Sequence, residues 1–104
     1  MLKVPIPSGA TGAAWLESVS VCLDFALSDS PSALVVSVGY DGLAVDPLAS
    51  LGLTKGDYAE AVKECVRRME GKKVVLGLEG GYDLEATAEA VKESIETLLE
   101  LEKR

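Results

Sequence analysis

The chain has 104 residues, 48% of them apolar, which is enough for one domain of modest size with a core of its own. Its net charge of −7 excludes a nucleic acid or an anionic membrane as the main partner, because phosphate binding needs clustered Lys and Arg and here the basic residues are interleaved with acids. No apolar run reaches the roughly 20 residues of a membrane span, and Met1-Leu2-Lys3-Val4-Pro5 does not open a secretory signal, so the expectation is a soluble intracellular protein, cytoplasmic or nuclear.

Residues 2 to 6 form a short apolar run broken by Pro5 and Pro7, at most the tail of a strand. After a loop over Ser8 to Gly12, the recurrence of Trp15, Leu16, Val19, Cys22, Leu23 and Ala26 predicts a helix that ends before Ser28-Asp29-Ser30-Pro31. Ala33 to Val38 is nearly continuous apolar, the pattern of a parallel strand buried on both faces. A loop of about fifteen residues follows, and then Thr54 with Asp57 three positions on forms a capping box for a second helix, whose apolar face is Tyr58, Val62, Cys65, Val66 and Met69 and which Gly71 stops. Lys72 to Leu78 repeats the buried-strand pattern. Glu79-Gly80-Gly81-Tyr82 turns the chain, and Asp83 is placed to cap a last helix with Leu84, Ala88, Val91, Ile95 and Leu98 inside. The order predicts an α/β fold of three layers, built from βα units on a small parallel sheet, with 1–104 as one unit. Two or three strands make a small sheet, so a strand edge and a helix-packing surface are expected to be left uncovered.

In open parallel sheets the working residues gather where loops leave the carboxyl ends of the strands. Here those loops are 39–53 and 79–82. Asp41 follows the first strand directly and is flanked by glycines, so it is well placed as a ligand for a divalent cation; with Asp46 it equally suits a loop in which carboxylates accept backbone hydrogen bonds. In the second loop, Gly80-Gly81 allows close approach of backbone to a ligand and Tyr82 sets a phenol at a helix start, although a Gly-Gly pair there also reads as a plain turn or a phosphate cradle. A G-x-G-x-x-G run and a phosphate-binding Lys are absent from both loops. Cys22 and Cys65 lack metal or redox spacing and are read as small core residues. The chain has no histidine, so any metal or acid-base chemistry of its own would do without the commonest neutral ligand and base.

Taken in order, these segments resemble the family of histone deacetylases and acetylpolyamine amidohydrolases. Ser37-Val38-Gly39-Tyr40-Asp41 followed by Asp46-Pro47-Leu48 is similar to that family's Gly-x-Asp…Gly-Asp-Pro-Leu stretch, and Leu53-Thr54 with Tyr58 to its Leu-Thr…Tyr continuation. Leu78-Glu79-Gly80-Gly81-Tyr82-Asp83-Leu84 resembles the Glu-Gly-Gly-Tyr motif, and Val4-Pro5-Ile6-Pro7 the family's Val-Pro-Leu-Pro loop. The resemblance covers essentially the whole chain and implies the C-terminal part of an arginase/deacetylase-like fold.

The resemblance implies zinc as cofactor, with Asp41 as one aspartate ligand and Tyr82 as the tyrosine that stabilises the oxyanion. It implies that Leu48 walls an acyl-lysine channel beside Gly80 and Gly81, and that Asp46 braces the loop. The family's other aspartate, its histidine ligand and its histidine pair have no counterpart here. Val45 stands where the family usually has Gly, and Gly42-Leu43 replaces a more polar pair. The expectation is therefore a zinc-dependent deacetylase segment, inactive alone, that acts on an acetylated lysine or acetylated polyamine only when completed by a missing N-terminal half or another subunit. The alternative is a non-catalytic interaction or dimerisation module derived from a deacetylase. A weaker option is an anion-binding module using the Gly80-Gly81 turn, which Asp83 opposes by placing a carboxylate at the helix start.

Overall fold

A computed structural model of the chain describes residues 1–48 and 50–102; Ala49 and residues 103–104, part of the unit expected over 1–104, lie outside the described residues. Helix α1 spans Gly12–Ala26, strand β1 Ala33–Val38, helix α2 Lys55–Arg68, strand β2 Lys73–Leu78 and helix α3 Leu84–Glu102. A 3-10 turn at Tyr40–Gly42 follows β1 directly. Residues 1–7 carry no regular element, so the strand tail expected over 2–6 does not form; the prolines there have no amide proton to give a ladder. Each α1 to α3 start is fixed by a local acceptor. Thr11 Oγ1 takes the Ala14 amide, Thr54 and Asp57 form the reciprocal capping box, and Asp83 Oδ1 takes the Ala86 amide at 3.0 Å. The end of α2 needs two left-handed residues, Glu70 at φ 50° and Gly71 at φ 83°.

β1 and β2 pair in parallel, Ala33 with Lys73 through Val38 with Leu78, and α2 is the crossover between them. The three helices lie in one row with α2 in the middle. Leu34, Val36, Val38, Val74 and Leu76 are partly covered by that row, and they alternate with exposed residues. The strands are therefore covered on one face, not on both as their apolar runs predict: Val35 is 73% and Val75 54% exposed on the other. A single helix layer has only one side of a sheet to cover.

The α/β class and the small parallel sheet are as expected, and the core forms where the helices meet the first loop. Leu53, Tyr40, Tyr58, Leu43 and Ala90 are its buried members, with Trp15 and Val38 packed against them. Two expectations need correction. Cys22 is exposed on α1, where Leu23 is the buried residue, whereas Cys65 is buried as read. On α3 the buried positions are Thr87, Ala90 and Ser94, not Leu84, Ala88 and Ile95, because small side chains let α3 approach α2 closely. Leu84 and Ile95 are exposed instead, and with Leu78 and Val91 they line an open cleft beside β2.

Candidate functional site

Both loops leave the same end of the sheet, because β1 and β2 are parallel and in register. The ladder runs one step past the strands: the Glu79 amide donates to Val38 O at 3.0 Å and the Tyr40 amide to Gly80 O at 2.8 Å. Asp41 therefore emerges directly beside Gly80. Its partly buried carboxylate folds back over the turn, so a Cβ at Gly39 would lie 2.8 Å from Asp41 Oδ1 and one at Gly80 3.0 Å from the carboxylate carbon. A side chain at either position would push the Asp41 carboxylate out of the space it fills.

The turn that carries Asp41 rests on two tyrosines. Tyr40 is buried and donates its hydroxyl to Ser94 Oγ on α3 at 3.1 Å. Tyr58 of α2 donates to Gly39 O at 2.7 Å and accepts the Gly42 amide at 3.0 Å. Its ring stacks at a tilt on Tyr40 at 4.6 Å and on Trp15 at 5.0 Å. Burial pushes the Tyr58 hydroxyl up to about 12, helped by the nearby Asp41 and Asp46 charges and opposed by the Gly42 amide. It stays a donor throughout the physiological range.

Asp46, 6% exposed, joins the two loops. Its Oδ1 accepts the Leu48 amide and its Oδ2 the Tyr82 amide, each at 2.8 Å. The brace expected within one loop thus reaches across to the second as well. Gly81, at φ 139°, packs so tightly that a Cβ would meet Thr87 Oγ1 at 2.6 Å and Tyr40 Cβ at 3.2 Å. Tyr82 and Leu48 project outward, 53% and 74% exposed. The structure thus gathers Asp41, Gly80 and Gly81 at the strand ends and ties Leu48 and Tyr82 to one carboxylate. Sequence reading placed Tyr58 as an apolar helix residue and in the Leu-Thr…Tyr motif, without a role at the loop, and did not single out Ser94 or Thr87; the positions alone do not show that α2 and α3 reach back to the loop.

A catalytic zinc takes about three protein ligands and keeps one position open. This chain has no histidine, and among the described residues no three His, Cys, Asp or Glu side chains gather as a possible metal site. Its donors fit one arm of such a centre and do not make the centre.

Comparison with known proteins gives the same frame. The model of the histone deacetylase domain matches residues 1–98. Histone deacetylase 14, chloroplastic, of Arabidopsis thaliana is 34% identical over 103 residues, covering 94% of this chain and 24% of that protein. Among solved structures, acetylpolyamine aminohydrolase from Burkholderia pseudomallei superimposes with a TM-score of 0.79 at 25% identity, over 92% of this chain and 28% of that one. The HDA15 HD domain superimposes with the same TM-score at 28% identity, over 89% and 27%. The chain thus spans about a quarter of the length of the relatives it matches. With ordered motifs, a shared fold and a match across nearly its whole length, the chain belongs to the histone deacetylase domain family.

Proposed function

We propose that this chain supplies the Asp41 carboxylate and the Tyr82 phenol to an amide-hydrolysing deacetylase centre whose histidines and remaining metal ligands lie outside it. The observation that carries this reading is the Asp46 carboxylate, which ties the Asp41 loop to Tyr82 and Leu48 at one end of the sheet in a chain of this family. Zinc, the family's metal, would supply an activated water and a Lewis acid there, and would take its further ligands from outside the chain, since among the described residues no three His, Cys, Asp or Glu side chains gather. Within the chain, Asp41 offers one carboxylate arm beside Gly80, and Tyr82 offers a phenolic donor for the oxyanion that develops on the amide carbonyl. Leu48 presents an exposed apolar wall for an acyl chain that would run beside Gly80 and Gly81, whose missing side-chain positions are taken by Asp41 and by Thr87 and Tyr40. The substrate class is an acetylated lysine or an acetylated polyamine.

The test is co-expression of the chain with the coding region immediately upstream, once that region is read for a histidine pair and an Asp-x-His motif. Copurification, one zinc per complex and hydrolysis of an acetyl-lysine peptide are expected, with activity lost in Asp41→Asn and Tyr82→Phe. The chain alone should bind zinc very weakly in calorimetry and show no turnover. Tight, Asp41-dependent zinc binding with turnover by the chain alone would sink the reading. A second reading, a non-catalytic interaction or dimerisation module, draws on the exposed apolar residues Leu78, Leu84, Ile95 and Leu99. It requires a stable oligomer whose affinity does not change in Asp41→Asn or Tyr82→Phe.

A further inference from the structure

We infer that Tyr58, a residue of α2 outside both loops, is the positioning residue for Asp41; this rests on the reading of Asp41 as a ligand arm. Asp41 lies inside a 3-10 turn, whose ends are the Gly39 carbonyl and the Gly42 amide. A turn of three residues is a weak element, and nothing in its own sequence makes it rigid. The Tyr58 hydroxyl holds both ends, donating to Gly39 O at 2.7 Å and accepting from Gly42 N at 3.0 Å. The clamp is specific in two further ways. Gly42 admits no side chain, since a Cβ there would meet Tyr58 Oη at 2.6 Å, and the ring is fixed between Trp15 and Tyr40.

Tyr58 itself is 3% exposed, so its hydroxyl reaches the loop from within the core and touches no substrate. The turn is held from beneath by Tyr58, while the carboxylate is confined above by Gly39 and Gly80. Remove the hydroxyl and the glycines still leave space for the carboxylate, but the backbone that aims it is held by one contact fewer at each end. The aim of a ligand side chain depends on this kind of support.

The experiment compares wild type, Tyr58→Phe and Gly42→Ala in the full chain by NMR. Phe keeps the ring packing and removes only the hydroxyl, whereas the alanine methyl presses on the Tyr58 hydroxyl, and on Leu53 Cδ1, from the other side. In both variants exchange of the residue 42 amide should rise roughly tenfold, as one hydrogen bond is lost, and the three-bond couplings at Asp41 should change from one rotamer to an average. Trp15 and Tyr40 ring contacts should be retained. In the two-part complex, activity of Tyr58→Phe should fall and recover with excess zinc, whereas Asp41→Asn should not recover. Unchanged exchange of the residue 42 amide and unchanged Asp41 couplings would overturn the inference, as would a loosening spread evenly over the core. If Asp41→Asn leaves zinc uptake by the complex unaltered, the ligand reading fails separately, whatever Tyr58→Phe does.

Discussion

Two side chains, Asp46 in the first loop and Tyr58 beneath it on α2, do work that their neighbours cannot replace. Asp46 faces two N–H donors, so it needs two acceptors. Asp46→Asn keeps one oxygen and turns an NH2 group toward the other amide, and this should cost about 1–3 kcal/mol of stability in urea unfolding. The Leu48 or Tyr82 amide should lose its protection from exchange at the same time. Tyr58 makes stability depend on alkaline pH. Its hydroxyl titrates near 10 when unfolded and is pushed to about 12 in the fold, so its contribution is complete below pH 10 and is lost as pH rises to 12. Two units correspond to about 2–3 kcal/mol. Burial also raises the Cys65 thiol, but that group is present in wild type and in Tyr58→Phe alike. The difference between their stability profiles from pH 9 to 12 should therefore isolate Tyr58, and parallel profiles would count against its burial as the cause.

At the scale of elements, α2 does the most to place the site. It is the crossover between the strands, the middle helix of the row and the source of Tyr58, which stands in its first turns. Its start is set by the capping box, with the Thr54 amide donating to Asp57 Oδ2 at 2.9 Å and the Asp57 amide to Thr54 Oγ1 at 3.2 Å. Thr54→Ala should lower stability by about 1 kcal/mol, read as a lower urea midpoint with an unchanged slope. The loop between β1 and α2 is longer than most, yet it is anchored along its length. Leu43 and Leu53 form an isolated parallel bridge, and the Gly52 amide donates to Ala10 O at 3.2 Å. Its closure by Leu53, 1% exposed, is what converts a fifteen-residue connection into part of the core.

At the scale of the whole molecule, the uncovered surfaces lie together in type. Val35 and Val75 are exposed on the sheet, and Leu78, Leu84 and Ile95 beside β2 and on α3. The cleft lined by Leu78, Leu84 and Ile95 is apolar surface of the kind on which another protein segment packs. Replacing Leu84 and Ile95 with Lys should leave the helical content by circular dichroism unchanged, since neither side chain is in the core. It should reduce self-association of the isolated chain in sedimentation and abolish copurification with the upstream segment. Retained copurification would place the partner on another face.

Much of this organisation was legible in the residues. The βα order, the capping box at Thr54 and Asp57, the extents of two short strands, and the loops that carry Asp41 and Tyr82 all follow from local spacing and turn chemistry, which depend on near neighbours alone. The family motifs were equally readable, because they are contiguous. What the tertiary structure decided are relations between distant positions. The exposed side of β1 and β2, the exposed Cys22, and the rotation of α3 that buries Ala90 and Ser94 instead of Leu84 and Ile95 depend on which layers are present and how closely helices approach. An apolar run says that a strand is made to be covered, but not whether the covering layer is in the same chain. Likewise, the hydroxyl of Tyr58 and the carboxylate of Asp46 acquire their roles only when folding brings Gly42 and Tyr82 within 3.0 Å and 2.8 Å of them.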